Sequence, residues 1–267
     1  MAKQDRAIRT RRAILEAAAA VFDERGYEAA KLSDILALAQ VTKGALYFHF
    51  DSKEDLAHAV IDAQVSVVPT PPPQTSKVQE FVDVGMVFAH RLTVDRVLSG
   101  SVRLTLDQGG HDLNRSGPYR EWTEINLALL QEAKRRGELL PHADPAEVAP
   151  LVVGAYAGLN LMTHALEGDR SSMERWASAL YQHLLPSIVV PAVLTMLDLE
   201  PGRGARALGD DGEEPDGEDP DGGESGVQES ATPATPGPGT AHPSHLVPRA
   251  AHLPPAPHLP PAPRVPH

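Results

Sequence analysis

Apolar positions recur every three to four residues through most of the first 198 positions, and that spacing predicts an all-α fold. Ile14, Leu15, Ala18, Val21 and Phe22 share one face of a first helix, with Gly26 placed to stop it. Ile35, Leu36 and Ala39 share a face of a short second helix, for which Ser33 is the candidate N-cap. Gln40-Val41-Thr42 breaks the pattern. Thr42 is set to cap another short helix from Lys43 to about His49, with Leu46, Phe48 and Phe50 assigned to the core. Ser52 then caps a longer helix that carries Lys53, Glu54 and Asp55 in its first turn and runs to about Val68. A helix, a tight turn and a second short helix make a helix-turn-helix, whose second member enters the DNA major groove.

Pro69 and the run Pro71-Pro72-Pro73 end this unit, because proline has no N–H for a helix interior. Residues 74–198 read as a second helical domain. Val78, Phe81, Val82, Gly85, Phe88, Ala89 and Leu92 form one stripe, and a shorter segment ends at Gly109-Gly110. Ser116-Gly117-Pro118 opens a helix containing Trp122, with proline expected at its first position. Asp144-Pro145 starts a helix of Val148, Val152, Leu159 and Met162, closed by Gly168; Ser171 or Ser172 starts the last long one. These last two helices carry small residues on several faces, which suits packing against a second copy of the chain.

Composition changes this picture at the C-terminal end. Residues 201–267 hold 15 of the 25 prolines and 10 of the 21 glycines and finish in the tandem repeat HLPPAPHLPPAP. Such a stretch cannot bury enough apolar surface to offset its chain entropy, so 199–267 is read as a disordered Pro/Gly/acidic tail. The net charge of −12 is at odds with DNA binding until it is located. Residues 198–267 hold 12 Asp/Glu against 4 Lys/Arg, whereas residues 1–12 hold Lys3, Arg6, Arg9, Arg11 and Arg12 against Asp5. The basic charge therefore sits beside the helix-turn-helix, which is what a phosphate backbone feels. That arm either touches DNA or stays solvated.

The chain has no cysteine, which removes disulfides and thiolate chemistry and fits a reducing compartment. The N-terminus is too charged for a secretory signal, and no apolar run approaches the roughly 20 residues that span a bilayer. A cytoplasmic protein without membrane attachment is expected. Serine, histidine and acidic residues show no spacing for a nucleophile elbow, a metal pair or a phosphate loop, so no catalytic residue, metal or cofactor is assigned.

The stretch VTKGALYFHFDSKEDL resembles the signature of the TetR family of bacterial transcriptional repressors, and its TKGALYFHF core is similar to the γ-butyrolactone autoregulator receptors of actinomycetes. The wider family has glycine where Gln40 stands. If that turn needs a positive φ, the glutamine costs about 1 kcal/mol. The architecture places Thr42, Lys43, Gly44, Ala45, Tyr47 and His49 toward the groove, with His49 and Lys53 in reach of phosphates. The resemblance implies a homodimer on a palindromic operator and release by a small-molecule effector of the butyrolactone kind. Trp122 matches the tryptophan that lines the receptors' pocket, or else fills the core. Phe81, Phe88 and Tyr156 are candidates to complete the walls, with Gln64 and Thr163 as polar partners for a ligand. Two rival readings share the fold: a pseudo-receptor answering to an antibiotic or its precursor, and a constitutive DNA-binding regulator. A third lies outside regulation, a non-DNA interaction module working through its proline-rich tail that would survive Lys43→Ala and Tyr47→Ala.

Overall fold

The structure, a computed structural model, describes residues 2–107, 113–167 and 170–209. It is all-α. The order is α1 (Ala2–Ala29), α2 (Leu32–Ala39), α3 (Lys43–His49), α4 (Lys53–Ser66), α5 (Lys77–Val94), α6 (Arg96–Leu106), α7 (Ser116–Arg135), α8 (Pro145–Glu167), α9 (Met173–Leu184), the single turn α10 (Pro191–Leu194) and α11 (Arg203–Leu208). Among the described residues the one β pairing is an isolated bridge between Leu139 and Val189. The expected stops at Gly109-Gly110 and Gly168, and the part of the expected disordered tail from residue 210 onward, lie outside the described residues.

Local capping chemistry sets the helix-turn-helix. Thr42 Oγ1 accepts the Ala45 N–H at 3.2 Å and Ser52 Oγ accepts the Asp55 N–H at 3.0 Å, so each fills an orphan donor of α3 and α4. Ser33 does not cap α2. That helix begins one residue earlier, on the Lys31 carbonyl, which leaves the Ser33 hydroxyl inside the first turn and near Asp34. Gly26 leaves the helical region (φ 70°, ψ 175°), so the long regular part of α1 ends there and a further turn runs to Ala29. Pro118 is the third residue of α7 rather than the first, still inside the turn whose N–H groups have no helical partner.

The turn after α2 does require a positive φ: Gln40 is left-handed at φ 54°, ψ 41°. A non-glycine residue there costs about 1–2 kcal/mol, against roughly 0.5–1 kcal/mol of extra chain entropy for glycine. The strain is the larger of the two, and the Gln40 side chain is exposed. Gln40→Gly is therefore expected to stabilise the protein by about 0.5 kcal/mol, a rise of about 1–2 °C in Tm. A fall in Tm would mean that the glutamine side chain contributes more than its backbone strain removes.

Two apolar clusters form. The first gathers Ile14, Ala18, Phe22, Ile35, Leu46, Phe50, Leu56, Val60 and Ile61 from α1 to α4, but it also takes in Val97 and Leu104 of α6. The second gathers Phe81, Val82, Met86, Leu130, Val152, Tyr156, Ala177 and Tyr181, with Leu98 and Val102 of α6. α6 thus belongs to both. At Gly100 it lies directly on the backbone of α1, where a Cβ would collide with the Ala19 carbonyl. Phe48 is not part of the first cluster; it is 77 % exposed, because the seven residues of α3 have one inward face, taken by Leu46, and the chain then turns in at Phe50.

The folded part does not stop at residue 198. α11 packs on α5, with Gly204 and Ala207 buried, Leu199 against the second cluster, and the Arg203 guanidinium on the fully buried Asp83. A partner on α5 therefore orders a stretch whose composition alone reads as tail. Over residues 145–166, α8 is long and apolar enough to cross a membrane by length and composition, contrary to the expectation that no such run exists. Its Val148, Val152, Tyr156, Asn160 and Thr163 side is the wall of the second cluster, and its other side is exposed at Leu151, Leu161 and Leu166.

Candidate functional site: a DNA-reading surface and an apolar cavity

On α3 the exposed face is made by Thr42, Lys43, Gly44, Tyr47 and Phe48, while Ala45 and His49 are half-buried. The Thr42 oxygen is occupied by the Ala45 N–H, which leaves its O–H as an outward donor. Lys43 and Tyr47 are one turn apart, with the ammonium 5.8 Å from the ring centroid. The His49 ring meets Phe48 edge-on at 5.0 Å. A Cβ at Gly44 would meet nothing within 4 Å, so packing within this protein gives no reason for glycine there. Arg6, Arg9, Arg11 and Arg12 are exposed along the start of α1.

Lys53 departs from the expected phosphate-facing position. Its Nζ donates to the Glu28 carbonyl at 3.4 Å and stands 4.5 Å from the Tyr27 ring, and desolvation lowers its pKa. The side chain is thereby drawn back over the end of α1. Cation–π and carbonyl contacts compete with its reach outward.

In the second cluster α4 to α9 enclose a cavity of about 70 Å³. That is room for roughly five to seven waters. Trp122 forms one wall, with Phe88 edge-on to it at 5.3 Å and Tyr156 edge-on to Phe88 at 5.9 Å. Gln64 of α4 also lines it; its Oε1 accepts from Ser101 Oγ at 3.1 Å and Thr105 Oγ1 at 3.2 Å on α6. Four of the six expected ligand residues therefore meet. Phe81 and Thr163 do not line the cavity: Phe81 is fully buried with its ring edge-on to Tyr181, and the Thr163 hydroxyl donates to the Asn160 carbonyl.

The sequence reading missed Gly85, Thr105, Tyr119, Asn126, Asn160 and Tyr181, which line the same space. On α8 the cavity face is 152, 153, 156, 157 and 160. Counting one turn on from Tyr156 points to Asn160 rather than Thr163. Tyr156 and Tyr181 converge over Gly85, where a Cβ would collide with both hydroxyls. Burial raises both phenols well above their ordinary pKa, so they stay protonated donors at neutral pH.

The polarity of the cavity is specific. Trp122 Nε1 and Asn160 Nδ2 are buried and have no hydrogen-bond partner among the described residues, and the buried Tyr156 and Tyr181 hydroxyls have at most each other. An unpaired buried polar group costs about 1–3 kcal/mol, so two unpaired donors and a pair of hydroxyls around one apolar space suit a small apolar molecule bearing acceptor oxygens.

Four similarities to known proteins bear on this site. Residues 14–60 match the model for bacterial regulatory proteins of the tetR family. The A-factor receptor protein of Streptomyces griseus is 39% identical over 200 residues, which cover 75% of this chain and 71% of that one. Among solved structures, TylP, a TetR regulator from Streptomyces fradiae, superposes with a TM-score of 0.71 at 40% identity, covering 77% of this chain and 98% of TylP. A γ-butyrolactone receptor (ArpA-like protein) superposes with a TM-score of 0.58 at 28% identity, covering 77% and 98% of the two chains.

Proposed function

The chain belongs to the TetR family of bacterial regulatory proteins, and from that premise we propose that it is a repressor released from its operator by a γ-butyrolactone-type signal. The observation that carries the effector half is the cavity with the unpaired Trp122 and Asn160 nitrogens and the two tyrosine hydroxyls at its wall. A lactone ring with an acyl oxygen supplies acceptors for those donors and apolar carbon for Trp122, Phe88 and Val152. The similarity to a γ-butyrolactone receptor supports the same reading.

The protein acts as a homodimer. The outer face of α8 presents Leu151, Leu161 and Leu166 in a stripe with Gly154 and Gly158, where a Cβ would meet nothing within 4 Å. Small residues let a second helix backbone approach, and large ones around them supply apolar area. Two copies of α3 then read two half-sites of a palindrome.

Release is a shift between two states. Gln64 ties α4 to α6 at the cavity wall, and α4 follows directly on the DNA-reading α3. An occupant that moves Gln64 or Thr105 loosens this tie. The state with moved α4 is then favoured only by the occupant's differential affinity for it.

The experiment is operator binding with and without a γ-butyrolactone, using DNA upstream of the protein's own gene. The lactone is expected to weaken binding about tenfold or more. Trp122→Ala should bind the operator and lose the response, with Trp122→Phe as the control that keeps most of the volume and removes Nε1. Binding that every lactone leaves intact would overturn the effector reading and favour a pseudo-receptor. No binding to any palindromic site would overturn the repressor reading.

A further inference from the structure

We propose that Asn160 and Arg170 couple the cavity to α1, giving its occupant a second route to the DNA-reading unit beside the one through Gln64; this rests on reading the cavity as the effector site. Asn160 is 2 % exposed and lines the cavity from α8. Its amide has two different faces. Oδ1 accepts from Arg170 Nε at 2.9 Å, whereas Nδ2 has no partner among the described residues. The orientation follows from the partner, because a guanidinium only donates and so must face the oxygen. The nitrogen is therefore the atom left for whatever enters the cavity.

Arg170 carries the connection out of the regulatory core. Its Nη1 reaches Asp23 of α1 at 3.1 Å and donates to Ser99 Oγ of α6, and Ser99 donates in turn to Asp23. The Arg170 side chain is only 10 % exposed, so water screens these bonds little. One rigid planar group thus fixes α8, α6 and α1 together. Asp23 stands one turn beyond Ala19, the point where α6 lies on the α1 backbone.

The two-faced amide works as a sensor of polarity. An occupant that accepts from Nδ2 holds the amide as it stands and tightens Oδ1 on Arg170. An occupant that places a donor there favours the flipped amide, which turns N–H groups toward Arg170 and sets donor against donor. Arg170 then loses its hold, and with it α1 loses the bridge to the core. Ligands of one shape with a carbonyl or a donor-only N–H at this point should therefore differ in how they act on DNA binding, not only in affinity.

The test is a double-substitution cycle on the full chain, read as operator Kd by fluorescence anisotropy. Asn160 reaches Asp23 through Arg170, so Asn160→Ala and Asp23→Asn should multiply if Arg170 transmits nothing. The relay predicts a departure from multiplication of about threefold or more. That departure should vanish in Arg170→Lys, which keeps a charge facing Asp23 but cannot fork to Asn160 as well. Simple multiplication in both backgrounds overturns the proposal.

A second arm uses a γ-butyrolactone as the probe, with its binding followed by Trp122 fluorescence in a Trp176→Phe background. Arg170→Lys should still bind the lactone, though more weakly than the parent, and at saturating lactone should lose at least about threefold of the lactone's effect on operator affinity. A full effect in Arg170→Lys overturns the relay's part in the switch. A lactone that fails to bind the parent protein, beside a non-multiplicative cycle, overturns the effector reading and leaves the relay supported.

Discussion

Arg203→Ala is expected to lower the stability of the protein by about 3–5 kcal/mol, the cost of stranding one member of a buried ion pair. Asp83 is fully buried on α5, and Arg203 Nε and Nη2 hold its two oxygens at 2.8 and 2.6 Å. Without the arginine, the remaining partner is Gln79 Nε2 at 2.7 Å, a neutral donor for a buried charge. The neighbouring bonds cannot take over. Asp198 N–H donates to Gln79 Oε1 at 2.8 Å and Gly202 N–H to Glu174 Oε2 at 2.8 Å, but both serve the backbone of the same segment. Urea or thermal unfolding should show it, as a fall in Tm of roughly 10 °C. Truncation after Leu199 should give a loss of the same size. Asp83→Leu with Arg203→Met should recover most of it, because removing both charges leaves nothing unpaired. A loss under about 1 kcal/mol in Arg203→Ala would mean that the pair is open in solution.

The consequence reaches the cavity. α5 presents Asp83 to α11 and, one and two residues on, Val84 and Gly85 to the cavity. The segment 198–209 therefore fixes the wall on which Tyr156 and Tyr181 converge. A destabilised latch should loosen that wall before it affects α1 to α4, whose core is the first cluster, joined to the second through α6, the end of α4 and the Arg170–Asp23 pair.

This latch was illegible in the sequence for a physical reason. Residues 203–208 have only two buried positions, and flanking glycine, proline and acidic residues dominate any window that contains them. Their order comes from a carboxylate 120 positions earlier. The same holds for Asn160 and Tyr181, which periodicity marks as helical but not as facing a cavity. By contrast, Thr42 and Ser52 were legible as caps because a cap is made within three residues. α3 was placed at its observed bounds for the same reason, as its start and stop are local. Ser33 and Phe48 show the limit of local signals. A serine near a helix start does not cap when a backbone carbonyl two residues back has already begun the helix, and an aromatic in an apolar run need not be inside when the helix is too short to have two buried faces.

Phe48 and Gly44 give the second large effect, because on an exposed recognition helix stability and DNA affinity should move in opposite directions. Gly44→Ala meets open space and replaces the poorest non-proline helix former, so Tm should rise, by up to about 1 kcal/mol of stability. Operator binding should weaken, since the added methyl stands where the duplex backbone or a base edge would approach. Phe48→Ala removes a side chain that is 77 % exposed, so it should leave stability within about 0.5 kcal/mol while reducing operator affinity. Were Phe48 a core residue, the same change would cost about 3–5 kcal/mol and unfold the unit. Lys43→Ala should cost about 1–3 kcal/mol of operator binding, a factor of roughly 5 to 150, and relax preference at one base position if the ammonium reads guanine O6 and N7. Arg9→Ala, on the exposed start of α1, should instead lower the slope of log Kd against log salt by about one without changing preference, if that arm lies on phosphates. An operator affinity that none of these four substitutions changes would mean that DNA is read by another surface.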